Sequence, residues 1–164
     1  MKLLKLLKHR VLSFPKPRLI ISKEVYDFII ETTKSSPKVE TGGILMGFDR
    51  EPMDVEVIHA SLPGPNAFHS PTKFLRDTEY CSKVLLENHK MFGIDYVGEW
   101  HSHVVPMRKI SGGDLITLSS ILFDPDYSFN AFACIVALLE DDHVDLLGYV
   151  AKKKYIYSVD LEIK

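Results

Sequence analysis

Residues 131–140, AFACIVALLE, run without charge, glycine or proline as far as Glu140 and stop at Asp141-Asp142, a turn signal. Such a run reads as a central strand, and the rest of the chain must cover it. Strand and helix patterns are interleaved ahead of it. RLIIS reads as a short strand, and Ser22 caps a helix, KEVYDFIIETTK, with Val25, Phe28, Ile29 and Thr32 at helical spacing. VETGGILMGFD is a buried strand entered through two glycines, and MDVEVIHASL, in which Val55, Val57 and His59 alternate, returns beside it as a hairpin. PGPNAFHSP is a loop, KFLRD a brief extended piece, and a helix is predicted from about Asp77 to Met91. IDYVGEWHSH follows as a strand, SGGDLITLSSILF as a helix, and HVDLLGYVAK with KKYIYSVDLEI as a terminal pair of strands. Hairpins at both ends and a helical crossover between them predict an α/β or α+β class with a mixed sheet.

A chain of 164 residues with 46% hydrophobic content can bury one compact core. The expected organisation is a basic N-terminal arm over 1–18 and one domain over 19–164. The opening, MKLLKLLKHRVLSFPKPR, interrupts every apolar run with lysine, so neither a signal-peptide core nor a membrane span is expected, and the arm reads as solvated. With 20 basic against 22 acidic residues, the net charge of −2 gives no general attraction to nucleic acid or an anionic membrane. Cys81 and Cys134 lie far apart in a predicted helix and strand, which argues against a disulfide framework and for a cytoplasmic setting.

The chemistry concentrates in residues 98–114, GEWHSHVVPMRKISGGD. Side chains alternate along a strand, so His101 and His103 project to one face, with Val97 and Glu99 on the same face by strict alternation. Two imidazoles so spaced can reach one metal ion, and a catalytic zinc site adds a third protein ligand, for which Asp114 is the candidate. Seven histidines in a chain of this length supply about 0.3 such pairs by chance, so the pair alone decides nothing. Adding Ser111 and Asp114 at their offsets lowers that expectation to roughly two in a thousand. Those two residues also suit a helix start, serine as N-cap with an acid three positions on, and capping is compatible with a role in chemistry.

His-x-His, seven residues, Ser, two residues, Asp, with Glu40 far upstream at the mouth of the Gly-Gly strand, resembles the JAMM signature of the JAB/MPN metalloprotease family. GPNAFHSPTKFLRDTEYC and GEWHSH further resemble the prokaryotic branch found beside ubiquitin-like conjugation genes in bacterial anti-phage operons. The resemblance spans about residues 19–150. It implies the JAB/MPN, cytidine-deaminase-like fold, with a curved mixed sheet flanked by helices. It implies zinc (Zn2+) bound by His101, His103 and Asp114, Glu40 as general base and then acid, and Ser111 as oxyanion stabiliser. The implied activity is hydrolysis of the isopeptide or peptide bond after the C-terminal tail of a ubiquitin-like protein. The implied partners are that protein or its conjugate and the activating and conjugating enzyme-like proteins of the same operon. Family members usually carry proline directly after the second histidine. Here Val104-Val105-Pro106 stands instead, a change that bears on loop rigidity and substrate selection.

Among other residues, Glu99 is a candidate to orient an imidazole, and Trp100 should face the core. Asn66 and His69 are candidates to border the substrate groove. His59, His89 and His143 have no ligand-like spacing, and Cys81 lacks a partner that would activate it. Two other functions share the residues: a non-haem iron enzyme using the same His-His-Asp triad, and a non-catalytic MPN interaction scaffold. Retention of all five positions argues against the scaffold.

Overall fold

A computed structural model describes residues 15–164. Most of the basic arm, residues 1–14, lies outside the described residues. In chain order the elements are β1 (Arg18–Ile21), α1 (Lys23–Lys34), β2 (Gly42–Arg50), β3 (Asp54–Ala60), β4 (Phe68–His69), β5 (Phe74–Leu75), α2 (Thr78–Phe92), β6 (Asp95–His103), α3 (Gly112–Leu122), β7 (Phe132–Glu140), β8 (His143–Lys152), β9 (Tyr155–Val159) and β10 (Leu161–Ile163). The helices start where a side chain can take up a free N–H: Ser22 accepts from Val25 N at 3.2 Å, and Asp77 from Tyr80 N at 3.1 Å. No helix among the described residues is long and apolar enough to cross a membrane.

Eight strands form one sheet in the order β10-β1-β3-β2-β6-β7-β8-β9, while β4 and β5 make a separate hairpin. The pairs β10/β1, β1/β3 and β6/β7 are parallel and the other pairs antiparallel. The class is α+β, with a large, mixed, curved sheet and three helices among the described residues. The apolar run of β7 is buried on both faces. Ala133, Ile135 and Ala137 join a core with Val25 and Ile29 of α1, and Phe132, Cys134, Val136 and Leu138 join a second with Cys81 of α2 and Leu118 of α3.

Three expectations change. Strict alternation placed Val97 beside the histidines, but the β2/β6 register slips: Leu45 faces Gly98 and Met46 faces Tyr96, leaving Val97 as a bulge. Val97 therefore turns into the α1-side core, and Tyr96 lies in the opposite one. The predicted loop before α2 contains the β4/β5 hairpin. The last apolar stretch is not one strand. It breaks at Asp160 into β9, which pairs with β8, and β10, which pairs with β1 at the other end of the sheet. A single residue thus joins the two edge strands, so the sheet must curl until its edges nearly meet. Gly148 makes room for this, because a Cβ there would stand 3.0 Å from the Val159 carbonyl oxygen and 3.2 Å from Leu19 Cδ2. Arg18, the first residue of the RLIIS strand reading, opens β1 and forks onto Glu162 at 2.9 and 2.6 Å.

Gly42 faces His101 across β2 and β6. A Cβ on Gly42 would strike the Trp100 carbonyl oxygen and come within 2.9 Å of His101 Cα. Gly42→Ala should therefore lower stability by about 1–3 kcal/mol, the usual cost of overpacking, seen as a lower thermal midpoint. An unchanged midpoint would mean that the strands can part there at no cost.

Candidate metal centre

The helix α3 carries the chain from β6 to a parallel neighbour, so it must start at the C-terminal end of β6. That crossover sets Asp114, in the first turn of α3, against His101 and His103. His101 Nε2 lies 3.2 Å and His103 Nε2 3.3 Å from Asp114 Oδ2, and the two Nε2 atoms are 3.1 Å apart. The three donors form a nearly equilateral triangle and can hold a metal ion. A tetrahedral ion with bonds of about 2.0–2.1 Å separates its ligands by about 3.3 Å, so a small divalent cation fits without rearrangement.

Backbone contacts hold each ligand. Ser111 and Asp114 form a reciprocal capping box: Asp114 Oδ2 accepts from Ser111 N at 2.7 Å, and Ser111 Oγ accepts from Asp114 N at 3.1 Å. His103 Nδ1 donates to the Met107 carbonyl at 3.0 Å, which turns the unprotonated Nε2 of the neutral ring toward the cluster. Side-chain contacts pin the loop between His103 and α3. Arg108 reaches Glu140 and Asp145, each at 2.7 Å, and Ile110 N donates to Tyr149 Oη at 3.1 Å.

Glu40, 7% exposed, stands just ahead of β2. Its neighbour Thr41 donates its N–H to Oγ of the fully buried Ser102 at 2.9 Å, and Ser102 N donates to the Thr41 carbonyl at 2.7 Å. On the other side, Glu40 N donates to the Ser70 carbonyl and His69 Nδ1 donates to the Glu40 carbonyl, both at 2.8 Å. So β6 and the β4/β5 hairpin grip this segment between them. The Glu40 side chain shares a cleft of about 410 Å³ with His101, Ser111 and Asp114.

Burial raises the Glu40 carboxyl above its ordinary value; the nearby histidines oppose the rise without cancelling it. Burial also pushes Asp114 up, but hydrogen bonds from both imidazoles and from Ser111 outweigh it and hold the carboxyl well below the usual range. For His103, burial favours the neutral ring. The Asp114 carboxylate, the Met107 carbonyl and Glu40 together outweigh burial, and its pKa rises.

The remaining candidates fall elsewhere. Asn66 donates from N and Nδ2 to Asp77 Oδ2 at 3.1 and 3.0 Å, bracing the start of α2, and His69 braces Glu40. The cleft wall is formed instead by residues 72–75 of the same hairpin. Glu99 lines the cleft but binds Arg76 and the Tyr96 hydroxyl, and no imidazole. Trp100 is buried on the opposite face, with Nε1 donating to the Ser61 carbonyl at 3.1 Å. Cys81 is buried, and burial pushes its thiol up, away from reactivity. Sequence reasoning missed Ser102 and Arg108. The only hint of Ser102 was its place between two histidines, on the inward-facing parity of the strand.

No family model matches the chain. Over 110 residues it is 27% identical to the "CD-NTase/cGAS isopeptidase" of Enterobacter hormaechei subsp. hoffmannii (strain UCI 50), a match covering 66% of this chain and 61% of that protein, less than two thirds of its length. The solution structure of protein DSY2949 from Desulfitobacterium hafniense superposes with a TM-score of 0.66 at 19% identity, covering 89% of this chain and 92% of that one. The two share a fold.

A proton held more tightly by folded than by unfolded His103 stabilises the fold fully below the unfolded imidazole value of about 6.5, and that contribution fades as pH rises through the raised folded value. The metal-free protein should accordingly lose thermal stability on going from about pH 6 to pH 8, and His103→Gln should flatten the trend. A flat wild-type profile would contradict it. Ser102→Ala should cost about 1–3 kcal/mol by leaving the buried Thr41 N–H without its partner, measured by denaturant unfolding. An unchanged unfolding midpoint would mean that Thr41 finds another acceptor.

Proposed function

We propose that this chain is a zinc-dependent isopeptidase of the JAB/JAMM type, cutting the bond after the C-terminal tail of a ubiquitin-like protein in a bacterial anti-phage conjugation system. The observation that carries the reading is the convergence of His101, His103 and Asp114 at the cleft that also holds Glu40 and Ser111. The relative named as an isopeptidase supports it and suggests that the conjugates belong to a CD-NTase/cGAS system. In this reading the partners are the ubiquitin-like protein, its target, and the enzymes that join them.

The donor set of two imidazole nitrogens and one carboxylate oxygen suits zinc. When bound, zinc would supply Lewis acidity and lower the pKa of a water from about 15.7 toward about 7. The protein's own groups do the rest. Glu40, whose burial raises its affinity for a proton, takes one at its carboxylate and returns it to the leaving amine. Ser111 Oγ already accepts from Asp114 N, so its own hydrogen is free to point into the cleft and stabilise the developing oxyanion. The capping box fixes the direction of that hydroxyl, so one local motif both starts α3 and aims a catalytic donor.

The test is cleavage of a panel of ubiquitin-like fusions encoded by neighbouring genes, paired with metal analysis. Glu40→Gln should keep one metal per chain and lose about 100-fold or more in kcat, whereas His101→Ala should lose both metal and cleavage. Cleavage surviving in Glu40→Gln would remove the proposed base. Stoichiometric iron with oxygen-dependent turnover would replace the zinc reading.

A further inference from the structure

Glu99 stands two residues before His101 on the same face of β6, and it lines the cleft. It is not free to swing. Arg76 Nη1 and the Tyr96 hydroxyl, the latter at 2.6 Å, both bond to Oε1, and Oε2 takes part in neither bond. Arg76 and Tyr96 approach from behind, since both line a separate small hollow of about 100 Å³ that Glu99 does not line, and neither lines the cleft. An ion pair whose side chains are only 23% and 19% exposed is costly to build merely for stability. What it achieves here is to hold the carboxylate of this cleft-lining residue in a set rotamer while leaving Oε2 out of both bonds.

The residues that share the cleft with Glu99 define what would fit. Cys134 is the cross-strand partner of Glu99, and Leu118, Ile121 and Leu75 line the same cleft. A carboxylate among apolar side chains complements a side chain with an aliphatic stem and a cationic head, and the low local dielectric strengthens the match. Residues two apart on a strand are about 6.5–7 Å apart, the same advance as two residues of an extended substrate. With the reacting carbonyl at His101, His103 and Asp114, Glu99 then faces the substrate residue about two positions away.

We infer that Glu99, held by Arg76 and Tyr96, is a specificity-determining residue that selects a lysine or arginine about two residues from the scissile carbonyl. This rests on the hydrolase reading above. The test takes the linear ubiquitin-like fusion cleaved by the metal-loaded full chain and replaces each of the four residues on either side of the scissile bond, in turn, by Arg, Gln or Glu. At one position about two residues from the bond, wild type should favour Arg over Gln by roughly 10- to 100-fold in kcat/KM, the range of a charge-assisted hydrogen bond, with Glu poorest. In Glu99→Gln, which keeps an acceptor for Arg76 and Tyr96, the Arg-to-Gln ratio should fall toward one. Equal rates for Arg, Gln and Glu at every position in the wild type would overturn the assignment without needing any variant, as would a ratio unchanged in Glu99→Gln. A fusion panel with no cleavage at all would overturn the hydrolase reading and this inference with it.

Discussion

The parallel pairing of β6 with β7 is the constraint from which the site follows. Parallel neighbours cannot be joined by a tight turn, so a helix must carry the chain back across the sheet. That helix begins where β6 ends, which brings its capping residues against the last histidines of the strand. The pairing itself depends on the apolar run of β7, which needs cover on both faces and receives it from α1 on one side and from α2 and α3 on the other. The same α3 that seals a core through Leu118 thereby delivers Asp114 and Ser111 to the cleft. Placement of the site and burial of the core are one event.

Local signals in the chain were legible and non-local ones were not. Ser22 and Ser111 cap helices where their positions predicted, and the helix expected from about Asp77 begins one residue later with Asp77 as its cap, because a cap depends on a few consecutive residues. The spacing of His101, His103, Ser111 and Asp114 could be read for the same reason. The bulge at Val97, the split at Asp160 and the β4/β5 hairpin depend on which strand lies alongside, which no local pattern encodes. Glu99 shows the limit most clearly. Its position on the histidine face was readable, but its partner Arg76, 23 residues earlier, was not. Asn66 and His69 likewise sat in the right loop, yet their side chains brace Asp77 and Glu40, while residues 72–75 meet the cleft.

The electrostatics of the cluster explain why it is both held together and responsive. Two imidazole Nε2 atoms 3.1 Å apart cannot both present bare lone pairs to each other, so either one of them carries a hydrogen or a cation stands between them and Asp114. Burial works against a proton on His103, but the Asp114 carboxylate, the Met107 carbonyl and Glu40 outweigh it, and its pKa is raised. A metal cation would compete with the proton for the same place, as metal binding generally does at histidine sites. Meanwhile Asp114 stays ionised in either case, tied by Ser111 N and by the imidazoles. Glu40 is gripped through its backbone, and among the described residues its carboxyl, unlike that of Asp114, has no hydrogen-bond partner.

The handover at Asp160 has a kinetic consequence. β1 lies between β3 and β10, and Arg18 bonds to Glu162 across 144 residues of sequence. During synthesis β1 can dock on β3 early, but its other edge stays open until the stretch carrying β10 has left the ribosome. A sheet that closes by joining near-opposite ends of the described chain has high contact order, which slows folding. Until then it exposes an unpaired parallel edge to other chains. The curl that shapes the sheet thus ties its completion to the end of translation of this segment.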